Sequence, residues 1–251
     1  MIGRKSIIGV SVLCALALSV LGVTSASAAQ RAYTCTKNVT DLAKQFKDAH
    51  CETQGTPPQT YGHLLITTAN TATHISNAKT ASSTTAAAVS KLKGALSGVE
   101  TEVQCTGLTG GGALTNAAES VSGTATLEYS GCTVTKPAGK GCVVKGGAIT
   151  TESLAATTVG QAAGNLKITP AGETNFAVIP IEKCSIEALN NNFPVTGSVV
   201  VTVTGATLST THSGVTTQNT LKFGGVKAGL EGSATLGMGT PLEDGEAIVL
   251  T

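Results

Sequence analysis

SVVVTVTGATLS, residues 198–209, carries an alternation that decides the fold class. Side chains on a strand point to opposite faces with a period of two, so Val199, Val201 and Val203 turn one way while Val200, Thr202 and Thr204 turn the other. β-branched residues fit a pleated, half-buried surface, and threonine suits its watered side. SGTATLEYSG (122–131) and GSATLGMG (232–239) read the same way, and a phrase of the form G-[ST]-x-[TV]-[LV] recurs at 123–127, 197–201 and 232–236. Its spacing is too irregular for a solenoid. Many short strands cut by Gly, Pro and Asn turns predict an all-β protein, a β-sandwich or a barrel-like set of antiparallel sheets.

Outward from that stretch, TYGHLLITTANTATHIS (60–76) predicts two short strands. SSTTAAAVSKLKGALSG (82–98) reads both ways: Val89, Leu92 and Leu96 fit one face of a helix, but Thr84, Thr85 and the preceding strands favour sheet. Pro180 in AVIPIEK (177–183) lacks an N–H, so its strand is expected at an edge or with a bulge. Residues 41–49 predict a short helix with Asp41 as cap and Leu42 and Phe46 one turn apart. TGLTGGGALT (106–115) lacks the lysine and hydroxyl of a phosphate loop and reads as a flexible turn.

The start of the chain has a basic pair, Arg4 and Lys5, an apolar run from Ile7 to Val23, and Ala26-Ser27-Ala28. This is the order of a secretory signal peptide over residues 1–28, with cleavage after Ala28. Gly9, Ser11, Ser19 and Gly22 interrupt the run, which argues against a membrane span. Residues 29–60 then read as a small disulfide-stapled element, and 61–251 as the β-rich domain.

Cys14 lies in the leader, so six cysteines follow it: Cys35, Cys51, Cys105, Cys132, Cys142 and Cys184. An even set in an exported chain reads as disulfides. Proximity pairs Cys35 with Cys51 and Cys132 with Cys142, which leaves Cys105 with Cys184. Under that pairing YSGCTVTKPAGKGC (129–142) is a hairpin with a Pro137-Ala138-Gly139 turn and a staple across its base. C-x2-C spacing is absent, so zinc and redox-pair readings have no support.

No catalytic, cofactor or metal set stands out. Without Arg4 and Lys5 the chain has fourteen basic residues against fifteen acidic ones, with no basic block, and its three Tyr and four Phe come without Trp. Both features speak against a nucleic-acid partner. Asp48, His50 and Glu52 would share one face of a strand and could hold a cation, yet no further ligand is signalled, and His63 and His74 stand alone. His212 beside Ser213 lacks the G-x-S-x-G elbow, and Asp41, Asp48 and Asp244 are the only aspartates available to orient a base. Glu100 and Glu102 point the same way on one strand; with Glu128, Glu152, Glu182 and Glu187 they are the stock from which a glycosidase pair would be drawn.

LSGVETEVQC, GTATLEYSGCTVTKPAGKGCVV, ITTESLAATT, LKITPAGETNFAVIPIEKCS, FPVTGSVVVTVTGATLS and NTLKFGGVKAGLEGSATL fall in order along 92–251. With YTCTK and FKDAHC around Cys35 and Cys51, they resemble a family of secreted, threonine-rich, disulfide-containing proteins of soil bacteria with no assigned activity. The resemblance implies export and a β-rich fold and carries over no site residue. The expectation is a secreted, non-catalytic protein of the cell surface or extracellular space with an interaction or structural role. No partner is named by the sequence; envelope polysaccharide and protein are the candidates. The alternatives are a hydrolase whose site the fold assembles, and a polysaccharide-binding module with a flat threonine face.

Overall fold

The computed structural model describes residues 30–40, 43–77, 90–118, 120–159, 164–212, 220–238 and 247–250; residues 1–28, the expected signal peptide, lie outside them. In chain order the strands are β1 (Ala32–Thr36), β2 (Lys44–Phe46), β3 (Tyr61–Leu65), β4 (Thr71–Asn77), β5 (Ser90–Leu96), β6 (Val99–Cys105) and β7 (Gly107–Asn116). They continue with β8 (Val121–Ser130), β9 (Thr133–Lys136), β10 (Val143–Val144), β11 (Ala148–Thr150), β12 (Leu154–Thr158), β13 (Asn165–Pro170) and β14 (Asn175–Glu182). The last are β15 (Asn191–Thr196), β16 (Val199–Thr204), β17 (Thr207–His212), β18 (Lys222–Phe223), β19 (Val226–Met238) and β20 (Ile248–Leu250). The fold is all-β: helical turns among the described residues are confined to short 3-10 pieces at Lys145–Gly147 and Glu187–Leu189 and to a 3-10 position at Ala43.

Eight strands close an antiparallel barrel in the order β4-β7-β8-β12-β13-β16-β17-β19, with β19 pairing back to β4. Taken in chain order they form a meander, which is the barrel built from nearest neighbours. The alternation of 198–209 appears as expected: Val199, Val201 and Val203 are buried while Thr202 and Thr204 are exposed. On β8 the same rule turns Ser122, Thr124, Thr126 and Glu128 outward. A bilayer-spanning barrel turns apolar side chains outward, and this one does the reverse. Among the described residues no helix is long and apolar enough to cross a membrane.

The strands inserted between barrel strands build a second ring on the same spine. β19 is thirteen residues long. Its second half closes the barrel, while its first half pairs β18 at Val226–Lys227 and β5 at Ala228–Glu231. From there the sheet runs one way through β15 and β14 to β10, and the other way through β6 to β9. β9 and β10 lie side by side, joined by the 137–142 turn. Pro180 sits in β14, whose outer edge among the described residues carries only the two-residue β10, opposite Ile181 and Glu182. β14 also has a register irregularity between Asn175 and Ala177. Ser97 and Gly98, both with positive φ (49° and 79°), make the two-residue turn joining β5 to β6. Sheet therefore holds over the described part of the ambiguous segment; residues 82–89 lie outside it.

A four-stranded sheet, β2-β3-β1-β20, covers one end of the barrel. It is stapled by Cys35–Cys51, as proximity suggests. Ala32, Ile66, Ile248 and Leu250 of this region pack into one apolar cluster with barrel residues such as Val201 and Leu236. The expected helix over 41–49 is not there: Lys44–Phe46 is strand, and Asp41 and Leu42 lie outside the described residues. Lys47 N–H donates to Thr53 and Gly55 N–H to Gln45, so the segment folds back on itself as the short disulfide loop demands.

Two further expectations need correction. TGLTGGGALT is not a flexible turn but most of β7, a ten-residue strand between β4 and β8. A Cβ at Gly112 would strike the Thr124 carbonyl, and one at Gly110 would lie 2.6 Å from the Thr126 carbonyl oxygen. The glycines are there because β8 approaches too closely for side chains. The disulfides are Cys105–Cys132 and Cys142–Cys184, not Cys132–Cys142 and Cys105–Cys184. Pairing of Gly107 with Ser130 closes the β7–β8 hairpin and brings its flanking cysteines, Cys105 and Cys132, together. β9 ladders with β6 rather than β10, and Val143 pairs with Glu182, which sets Cys142 beside Cys184. The staples tie sheet neighbours, not the ends of the 129–142 turn.

Candidate functional site

Eight strands make a barrel whose interior is just wide enough to be filled by side chains or to hold one small ligand. Which of the two occurs depends on the size of the inward residues. β8 sends Val121, Gly123, Ala125, Leu127 and Tyr129 inward, two of the five with little or no side chain. β16 adds valines, and the barrel's own apolar cluster contains no aromatic residue. The second ring receives Phe176, Phe193 and Phe223, the last two edge to face at 5.9 Å. Where the two cores meet, a cavity of about 180 Å³ remains.

Ile168, Val201 and Leu127 from the barrel and Leu92, Val103 and Phe176 from the second ring are among its walls. Among the described residues the wall carries no charged side chain and no histidine. Apart from Thr210, whose hydroxyl donates to the Leu230 carbonyl at 3.4 Å, its polar groups fall into two sets. Ser90, Ser209 and Ser233 lie near a fork in the sheet: β5 leaves β19 after Glu231 and β4 joins it at Ala234, so neither ladders with Gly232 or Ser233. Three strands round the ring, Thr151 and Tyr129 face the same space. The Thr151 hydroxyl oxygen accepts the Leu127 N–H at 2.9 Å. Burial pushes the Tyr129 hydroxyl up to about 12, so it is a neutral phenol, and it has no hydrogen-bond partner among the described residues.

The residues singled out in the sequence lie elsewhere. Asp48, His50 and Glu52 sit in a turn rather than on a strand, so they do not share a face. The Asp48 carboxylate accepts the backbone N–H groups of His50, Glu52 and Thr53 at 2.7 to 3.1 Å. Burial alone would raise its pKa, but these hydrogen bonds outweigh it and hold the carboxyl below its ordinary value. This network organises the Cys51 turn. His50 Nδ1 lies 4.0 Å from Glu52 Oε1.

His63 is stacked between Tyr33 and Phe46, with ring centroids at 5.5 and 4.6 Å, and burial lowers its pKa. His74 lies on β4 opposite Gly111 and Gly237. His212 ends β17 opposite Leu230; its side chain, Ser213 and Asp244 lie outside the described residues.

Glu100 and Glu102 do point the same way, outward from β6, where Glu100 accepts from Lys136 at 2.7 Å and Glu102 from Thr135 at 2.6 Å. Glu128, Glu152 and Glu187 are exposed, and Glu182 lies 3.9 Å from Lys183. None of these carboxylates lines the cavity. Among the described residues no cluster of three or more His, Cys, Asp or Glu could hold a metal ion.

The site was missed in the sequence because no motif marks an absence of volume. The usable signal was the small-to-large inward series on β8 ending at Tyr129, within the same YSGC that drew attention for its cysteine. No protein-family model matches the chain, and no curated protein or solved structure is similar to it.

Proposed function

We propose that this is an exported, non-catalytic β protein of the cell surface or extracellular space that works by binding, and that it binds a small apolar molecule between its two cores. The cavity carries the reading: a preformed space of about 180 Å³ with aliphatic and aromatic walls. An engineered cavity of about 150 Å³ with a similar lining stays dry and binds benzene or xenon. The leader pattern, three disulfides and the resemblance to secreted threonine-rich proteins support the location. Against a flat polysaccharide platform, the threonines of β8 and β16 lie on the convex outer wall of a barrel.

Native mass spectrometry of protein purified from culture medium tests this. A small neutral mass should accompany the protein and be lost from Ile168→Phe, which fills the cavity. Protein found only inside cells would contradict the location. An unoccupied protein that also refuses small apolar ligands in solution would contradict the binding role, and serine labelling by an activity-based probe would turn the reading toward the hydrolase.

A further inference from the structure

Resting on that reading, we infer the chemistry of the ligand: an uncharged molecule with a compact apolar body and a single hydrogen-bond acceptor, such as a carbonyl oxygen, that takes the Tyr129 hydroxyl proton. Three observations on the wall support this. No charged side chain faces the cavity among the described residues, so a carboxylate or ammonium would leave water with no counter-charge. The Thr151 hydroxyl is anchored at the wall by the Leu127 N–H that it accepts and keeps its own O–H, whereas the Tyr129 hydroxyl has no partner of either kind among the described residues. Tyr129 is a partly buried side chain whose donor no protein group among the described residues uses, so a ligand that supplies an acceptor gains a hydrogen bond that one without an acceptor does not. With its hydroxyl neutral across the physiological range, Tyr129 acts as a donor and not as an anion.

The available space limits size. About 180 Å³ takes a substituted single ring or a short branched chain and excludes a long acyl tail or a sugar unit with its hydroxyl shell.

Three probes of nearly equal shape test the proposal on the purified, oxidised protein: acetophenone, ethylbenzene and benzoate. Affinities come from ligand-observed NMR, and the carbonyl stretch of bound acetophenone is read by infrared difference spectroscopy. Acetophenone should bind about three- to tenfold more tightly than ethylbenzene. Its carbonyl stretch should fall on binding, and benzoate should not bind measurably. In Tyr129→Phe the acetophenone advantage and the frequency shift should both vanish while ethylbenzene binding persists. Equal affinities in the unmodified protein, a shift that survives Tyr129→Phe, or benzoate binding as well as acetophenone would overturn the ligand class while leaving the cavity as a binding site. Failure of both neutral probes would remove the binding role itself, and the ligand class with it. The infrared shift in the unmodified protein decides the donor question even if Tyr129→Phe does not fold.

Discussion

The two rings that share β19 are built from the same strand grammar but fill their interiors differently. The second ring concentrates Phe176, Phe193 and Phe223 on a core closed further by Leu96, Leu189 and Leu221. The barrel relies on Val121, Leu166, Val201, Val203 and Leu236 and on a covering sheet at one end. A Phe side chain fills far more of an interior than a Val. In a protein with four Phe, sending three of them to one ring leaves the other with too little volume at the seam. The difference teaches that the binding space comes from where bulk is withheld.

Substitutions can break that contrast. Phe223, fully buried, should be the most sensitive position: Phe223→Ala is expected to cost about 3 to 5 kcal/mol in denaturant unfolding. Leu208→Ala, at a wall that already faces space, should fall at or below the low end of about 2 to 5 kcal/mol. Equal losses would mean that the two interiors are packed alike. The Cys142–Cys184 staple closes a loop of 42 residues, and replacing both cysteines by serine should cost about 4 kcal/mol on the chain-entropy view. Peptide mapping under non-reducing conditions should recover Cys105 with Cys132 and Cys142 with Cys184.

Adding volume should separate the rings by sign. Ala228→Leu, in the packed core, is expected to destabilise by about 1 to 3 kcal/mol. Ile168→Phe, beside the cavity, should be neutral or stabilising and should abolish ligand binding. Thermal unfolding of the two variants side by side shows which ring has room.

Smaller effects belong to the stapled sheet at the barrel end. His63 has its pKa lowered in the fold, so the unfolded chain takes the proton first. Stability from this group is full above pH 6.5 and declines as pH falls below it, levelling off below the folded pKa. His63→Phe should flatten that part of the stability profile. Asp48, also lowered, contributes above its ordinary value near 3.8, and that contribution is lost as pH falls further through the folded pKa. Asp48→Ala, which strips the acceptor from three N–H groups, should cost about 0.5 to 2 kcal/mol at neutral pH. Least of all, Thr126→Ala on the outer barrel wall should change stability by no more than about 0.5 kcal/mol.

The fold class was legible because alternation and glycine punctuation are local signals, clearest at Val199, Val201 and Val203. Closure was not: the pairing of β19 with β4 joins residues 234–238 to 73–77, and no local pattern encodes a partner that distant. The glycines of β7 misled for a related reason. A run that looks like a turn by composition is a strand when the neighbouring strand presses against it. The disulfides followed the same logic, since proximity in sequence favoured Cys132 with Cys142 while ladder registers brought other partners closer. For the cavity, the inward faces could be read strand by strand, but their sum over both rings could not.

Xenon pressurisation of crystals tests the central claim most directly, because xenon reports empty apolar space without hydrogen bonding. Density for xenon should appear at the seam among Leu127, Ile168 and Val201 and be absent from the core around Phe193 and Phe223. A seam closed by side chains, or xenon distributed equally between the two cores, would contradict the account.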